Sequence, residues 1–365
     1  MKILAYYLPQ FHPIPENDKW WGVGFTEWTN VGKAKKLFYG HYQPRIPKDL
    51  GYYDLRIPEI RIKQAALASE AGIDAFCYWH YWFGNERELL KMPFNEVLNT
   101  GKPDFPFCLG WANESWKSKT WNSNGSNNDL TLIEQEYPGK ADDINHFYSL
   151  LSAFKDKRYF RIKGKPVFVI YKPLMIPNLI DFLSTWTLLA KKEGFLEGFF
   201  FIAYSEKPFE IDTLLLKGFN AVNMVRNGEY IRNTKLMMRL LIPLIKFKLL
   251  GKPLKINYSL MRKFLVQEDE KRQNVFPTII PNWDHTPRSG RRGYVFHNST
   301  PELFARHVED VFNVTKMKNT ENQIIFLKSW NEWGEGNYME PDLKFGKEYI
   351  TTLGKLRHKY SGNNV

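Results

Sequence analysis

The run Ile324-Ile325-Phe326-Leu327 leads through Lys328-Ser329 into Trp330-Asn331-Glu332-Trp333-Gly334-Glu335-Gly336. A short continuous apolar run of this kind reads as a strand buried on both faces. The segment after it carries two carboxylates three positions apart, set between indole rings and small turn residues. Acids beside tryptophan are poorly solvated, so at least one of the pair is expected to hold a proton near neutral pH. Tryptophan faces also stack on sugar rings. The combination suggests acid/base chemistry on a glycosidic bond.

Seven further apolar segments resemble 323–330. They lie at roughly 2–8, 73–79, 105–111, 166–171, 198–204, 219–225 and 276–280. Segments of helical period separate most of them. Ile57 to Ala71 is one, with Pro58 in its first turn and Gly72 past its end. Asp142 to Phe154 is a second. Thr300-Pro301-Glu302 is a helix start, Thr300 as cap and Pro301 as first helical residue. Lys347 to Lys359 completes the alternation. Strand followed by helix, eight times over, predicts an α/β fold: a (β/α)8 TIM-type barrel with long loops at its C-terminal face, residues 1–365 forming one domain. An open doubly wound sheet is the competing architecture. It favours a glycine-rich phosphate loop after the first strand, where this chain has Pro9-Gln10-Phe11-His12-Pro13.

Of 365 residues, 43% are hydrophobic and 25% charged, as in ordinary globular proteins. Aromatic content of 16% is high and gathers in short motifs. The two cysteines, Cys77 and Cys108, sit in strand-like runs and read as buried, inert thiols; a disulfide framework is excluded by count. The opening run Ile3 to Leu8, followed by Pro9, is too short for a secretory h-region. A cytoplasmic location is expected, peripheral to the inner membrane if the basic segment described next touches lipid. The net charge of +12 favours anionic partners without choosing among nucleic acid, acidic lipid, diphosphate-linked sugar and acidic glycan. Nothing in the motifs points to nucleic acid. An insertion at about 226–275 concentrates this charge: from Tyr230 to Gln267 there are nine basic residues and no acidic one. Leu236, Met237, Leu240, Leu241, Leu244, Ile245 and Leu249 recur there at helical spacing, interrupted by Pro243. The segment is expected to be amphipathic. Its two readings are a contact with an anionic membrane surface and a helical excursion packed on the barrel.

Barrel enzymes place their sites at the carboxyl ends of the strands. Here those ends carry Gln10-Phe11-His12, Trp79-His80-Tyr81-Trp82-Phe83, Trp111-Ala112-Asn113-Glu114-Ser115-Trp116, Tyr171, Tyr204-Ser205-Glu206, Pro281-Asn282-Trp283-Asp284-His285 and the Glu332/Glu335 motif. Polar and aromatic residues in phase at seven ends predict one sugar-binding cleft. If a helical turn follows the last strand, residues three apart bring their Cβ atoms to about 5–6 Å. Retaining glycosidases keep their carboxyls about 5–5.5 Å apart and inverting ones about 6.5–9.5 Å, so the spacing leans to retention. A bland alternative makes Glu332 one half of an ion pair and Glu335 a solvated turn residue. His12 and His80 read either as structural histidines or as donors to a sugar hydroxyl or carboxylate. Glu114 reads as a hydroxyl ligand or an ion-pair partner. No histidine or cysteine spacing suits a metal, and no cofactor is expected.

Tyr6-Tyr7-Leu8-Pro9-Gln10-Phe11-His12-Pro13, Trp20-Trp21-Gly22, Phe25-Thr26-Glu27-Trp28-Thr29-Asn30-Val31, His41-Tyr42-Gln43-Pro44 and Tyr78-Trp79-His80-Tyr81-Trp82-Phe83 resemble the WbsX-type glycosyltransferases of bacterial O-antigen and capsule clusters. Cys108 to Glu114 and Trp330 to Gly336 match as well, so the likeness covers nearly the whole chain. That group is similar in turn to glycoside hydrolase family 99, endo-acting α-mannosidases and mannanases on a (β/α)8 barrel. The resemblance implies that Glu332 is a base for the sugar 2-hydroxyl, giving a 1,2-anhydro intermediate, and Glu335 the general acid and then base. It implies supporting places for Tyr7, His80 and Tyr171. Substrate contacts are further expected from His12, Trp79, Trp111, Asn113, Glu114, Trp283, Asn331 and Trp333. The basic insertion is no part of the hydrolase pattern. Three functions therefore stand: a glycoside hydrolase or transglycosylase acting on an oligosaccharide or lipid-linked glycan, a nucleotide-sugar glycosyltransferase (although no Asp-x-Asp motif is found), and a catalytically inactive glycan-binding protein.

Overall fold

A computed structural model describes residues 1–118, 130–229 and 233–362. The barrel strands are β1 (Lys2–Tyr7), β2 (Ala75–Trp82), β3 (Phe107–Trp111), β4 (Lys165–Ile170), β5 (Phe200–Ser205), β6 (Ala221–Met224), β7 (Val275–Phe276), β8 (Thr278–Ile279) and β9 (Ile324–Leu327). All pair in parallel, in the order β7-β6-β5-β4-β3-β2-β1-β9-β8. The two ends of this order, β7 and β8, are halves of one strand interrupted at Pro277. Proline has no N–H to give a ladder, so the ring breaks there and is nearly closed rather than seamless. The eight predicted segments are thus all strands, the seventh in two pieces.

Helices Pro58–Glu70, Lys140–Ser149, Leu179–Lys192, Pro301–Thr315 and Glu348–Tyr360 pack outside the ring. The predicted cap holds: Thr300 accepts from the Leu303 N–H at 3.3 Å. The expected single helix over 142–154 is two, Lys140–Ser149 and Leu151–Lys155. Outward-facing Phe168 meets Phe154, Trp186 and Phe199 between strand and helices. Burial of each such aromatic stabilises by about 1.5–3 kcal/mol. Cys77 and Cys108 are buried and unbridged, as expected.

The insertion departs from its predicted pattern. It forms helices Thr234–Arg239 and Leu241–Leu250 and a strand, Leu254–Asn257, that pairs with Tyr294–His297. Leu236, Leu240, Leu244 and Phe247 turn towards the protein body. Met238, Ile242, Ile245 and Leu249 face solvent. The helical segment is therefore apolar on two sides, not amphipathic. Residues 230–232, including Arg232 of the predicted basic stretch, lie outside the described residues. Among the described residues no helix is long and apolar enough to cross a membrane.

Candidate active site

The stretch Trp330–Tyr338 is held by backbone before it presents any side chain. The Trp330 N–H donates to Tyr6 O at 2.8 Å, which carries the line of β9 on alongside β1 beyond Leu327. The Asn331 amide grips Leu8 twice, accepting from its N–H at 2.8 Å and donating to its carbonyl at 3.0 Å. A tight turn, Trp333–Glu335, reverses the chain, and Gly336 leaves it at φ 56°, left-handed backbone that glycine adopts without strain. Asn331–Glu332 then pair antiparallel with Asn337–Tyr338. Glu332 leads into this turn and Glu335 closes it, and both side chains emerge towards Arg288. The expected turn is present in this tighter form.

Both acids end on one guanidinium. Arg288 Nη2 donates to Glu332 Oε1 at 2.5 Å and Arg288 Nη1 to Glu335 Oε1 at 2.7 Å. The other edge of Arg288 is held by fully buried Glu27, at 3.0 Å from Nε and 2.9 Å from Nη2. Gly334 makes room for this cluster: a Cβ there would lie 1.8 Å from Glu27 Oε1. Glu335 is also fixed from behind. Its carbonyl accepts from the Asp284 N–H, and Asp284 is gripped by His41 and Gln43, each at 2.8 Å, from the long first loop.

The electrostatics split the pair. Burial, with the like charges of Glu335 and Glu27, outweighs Arg288 and pushes the Glu332 carboxyl up to about 7. Burial also pushes Glu335 upwards, but Arg288, His285 and Lys328 outweigh it and hold Glu335 below the usual glutamate range. One protonated and one ionised carboxyl near neutral pH is what the sequence leads one to expect, with the proton on Glu332.

The acids open into a cavity of about 710 Å³ at the carboxyl ends of the strands. Its floor is aromatic. Tyr6, beneath it, stacks on Trp79 at 4.6 Å; Trp79 meets Tyr171, and Tyr171 meets Tyr204 at 4.8 Å. Lys328 donates to the Tyr204 hydroxyl at 3.1 Å, and Tyr204 donates to Glu206 at 3.2 Å. Lys172 lies over the Tyr171 ring at 4.4 Å, and Asn113 anchors it by accepting from the Lys172 N–H.

Of the sequence-predicted residues, Glu332, Glu335, Trp79, Asn113, Glu114 and Tyr171 line this cavity. The others do not. Tyr7, His80 and Trp111 sit on the outward side of their strands, because successive side chains alternate across a strand. Tyr7 donates to Gln64 on helix Pro58–Glu70. His80 meets His146 at 2.8 Å and Glu88 at 3.3 Å, and Trp111 donates to the Trp82 carbonyl. His12 is buried with Nδ1 at 2.9 Å from Pro9 O. Trp283 lies behind the wall, stacked on Tyr294 with Lys328 over its ring. Asn331 is consumed by Leu8. Trp333 stacks on Tyr338 at 3.7 Å and donates to buried Glu340. Sequence reasoning missed Arg288, Lys328 and Glu27. Lys328 follows the last strand directly and was open to the same reading as its neighbours. Arg288 and Glu27 lie in loops that only tertiary structure brings together. Among the described residues no cluster of three or more His, Cys, Asp or Glu is placed for a metal ion.

The family pattern described as Glycosyltransferase WbsX matches residues 3–353. The chain belongs to the WbsX glycosyltransferase family. Two relatives from strains of Xanthomonas campestris pv. campestris, both described as "Uncharacterized protein WxcX", are 33% identical over 359 residues. These matches cover 95% of this chain and 48% of the relatives, so this WbsX member spans about half their length. Among solved structures, a glycoside hydrolase-like protein is similar with a TM-score of 0.59 at 15% identity, over 97% of this chain and 93% of that one. The GH99 endo-α-mannosidase of Bacteroides thetaiotaomicron is similar with a TM-score of 0.58 at 14% identity, over 98% of this chain and 97% of that one. These likenesses show a shared TIM-barrel-like fold.

Proposed function

We propose that this WbsX protein is a retaining glycosyl hydrolase or transglycosylase of bacterial surface polysaccharide metabolism, with residues 1–365 as one catalytic barrel. Glu332 and Glu335 carry the chemistry on an α-mannoside-like oligosaccharide or lipid-linked glycan. The supporting observation is the acid pair itself: two carboxyls on one guanidinium, opening into an aromatic-floored cleft at the strand ends.

In the proposed reaction Glu332 takes the 2-hydroxyl proton as that oxygen attacks the anomeric carbon. Glu335 protonates the departing glycosidic oxygen. A 1,2-anhydro sugar is left. Water or an acceptor hydroxyl then gives its proton to Glu335 and opens the ring, and the 2-oxygen recovers its proton from Glu332. The directions in the free site run against this division, since burial raises the Glu332 carboxyl to about 7 while Glu335 is held low. A bound sugar corrects this. The 2-hydroxyl donates to the charged form of Glu332, and the leaving oxygen accepts from the protonated form of Glu335; each bond favours the state the reaction needs. Trp79, Tyr171 and Glu114 position the sugar, Asn113 anchors the Lys172 backbone beside them, and Arg288 holds the two acids in register.

Incubation with defined α-mannosides and with lipid-linked glycan, followed by mass, tests the reading. Product formed without any nucleotide sugar supports it. Strict dependence on a nucleotide sugar favours the second reading, a nucleotide-sugar glycosyltransferase, for which the family description is the supporting observation. Leaving groups test the division of roles. An activated aryl glycoside should rescue Glu335→Gln, which lacks the acid, and not Glu332→Gln. The opposite rescue exchanges the two assignments.

A further inference from the structure

The insertion after β6 leaves the barrel at the same end as the cleft. Its strand Leu254–Asn257 pairs with Tyr294–His297, and the Phe296 N–H in that strand donates to Trp283 O, one residue before the Asp284 that fixes Glu335. The insertion is thus tied directly to the wall of the site.

Its helical segment is continuous through Leu240, where the Leu240 and Leu244 N–H groups bond to the carbonyls four residues back. Leu236, Leu240, Leu244 and Phe247 pack inward against the core. Met238, Ile242, Ile245 and Leu249 recur at the same helical spacing on the other side. Met238 and Ile242 are each 66% exposed and Leu249 is 77% exposed. Apolar side chains scattered singly on a surface need no explanation, but a stripe of them marks an interaction face. The charges around it are of one sign: Lys235, Arg239, Lys248 and Lys252 are exposed on the segment. Of the acids that flank the segment in the chain, Glu229, Asp269 and Glu270 are drawn onto Arg226, and exposed Glu268 pairs with Lys271.

We propose that this face is a docking surface for an anionic lipid bilayer. Ile242, Ile245 and Leu249 enter the headgroup and acyl boundary while the lysines and arginine meet acidic headgroups. The charge complementarity selects this occupant over a second copy of the chain, whose identical face would bring like charges together. Docking would set the cleft mouth beside the membrane, where lipid-linked glycans are presented. The inference stands apart from the catalytic reading.

The test is flotation of the full chain with vesicles of phosphatidylcholine alone and of equal parts phosphatidylcholine and phosphatidylglycerol. The chain should float with the mixed vesicles, fail to float with the neutral ones, and be released by salt. The double variant Ile242→Asp/Leu249→Asp should lose partitioning by about tenfold or more, and Lys235→Glu/Lys248→Glu by a similar factor. Both variants change exposed side chains, and cooperative thermal unfolding near the wild-type midpoint serves as their folding control. Absence of flotation, or flotation unchanged in both variants, overturns the proposal. So does a wild-type oligomer that Ile242→Asp converts to monomer, which would assign the face to a second copy. Flotation without turnover on any glycan would instead count against the catalytic reading alone.

Discussion

The turn after β9 and the helical insertion after β6 both consist of bulky apolar residues with interspersed charge, yet they use them in opposite ways. In the turn, Trp330 and Trp333 are wholly buried, and each charged group has its partner on Arg288. In the helical insertion, seven apolar residues (Met237, Met238, Leu241, Ile242, Ile245, Leu249 and Leu250) are exposed against four that pack inward, and the charges beside them are exposed. Side chains at the first site are spent inside the molecule, fixing two carboxyls in place. Those of the second are left for contact outside it. A charge in the turn acts on a neighbour a few ångströms away in a poorly solvated pocket, whereas a charge on the insertion is screened by water and salt.

The contrast can be broken most severely at the acids. Glu332→Gln and Glu335→Gln should each lower turnover by about 10²–10⁴-fold, read as initial rates on a defined glycan. Sugar binding by calorimetry should survive in both; if turnover is absent from the wild type as well, the chain is a glycan-binding protein. Next comes the cation between them. Arg288→Ala leaves Glu27 and the pair without their shared partner, and breaking a buried pair from one side costs about 3–5 kcal/mol, measurable by denaturant unfolding. Gly334→Ala ranks below it. The new methyl must displace Glu27, and overpacking of this kind costs about 1–3 kcal/mol.

A smaller effect concerns pH. The Glu332 carboxyl titrates higher in the folded chain than unfolded, so the native state binds the extra proton between its ordinary value of 4.5 and about 7. Its contribution to stability is full below that window and is lost as pH rises through it. Glu335, held low, contributes the opposite way: its share is present above the ordinary glutamate range and is lost as pH falls. Glu332→Gln should therefore flatten the decline of thermal midpoint from weakly acidic to neutral pH. At the bottom of the scale, Ile242→Asp should move folding stability by no more than about 0.5 kcal/mol, because the site is exposed. A much larger loss would mean that this side of the helix is packed, and would erase the difference between the two regions.

The barrel was legible because burial on both faces writes each strand as an unbroken apolar run, and Thr300-Pro301 writes a helix start. The acid pair was legible because its two members are close in sequence and follow a strand. The cleft walls were only half legible. Trp79 and His80 are adjacent letters, but alternation sends one into the ring and the other against helix Lys140–Ser149, and the phase of that alternation is not printed in a run where both faces are apolar. Arg288 and Glu27 are 261 positions apart, so no local pattern joins them. The second apolar stripe of the insertion was visible letter by letter, in Met238 and Ile242, yet the count of helical spacings favoured a single face.

The missing side chain at position 334 has a bearing on how this site can change. With no space for even one carbon above Glu27, and with a Cβ on Gly336 falling 2.7 Å from that of Asp284, the turn beneath the acids admits almost no variation. Change in what the cleft accepts would have to proceed elsewhere along its rim, where exposed Leu174 and Met175 border the opening. Libraries intended to redirect the specificity of this protein belong there, with the acid-bearing turn left untouched.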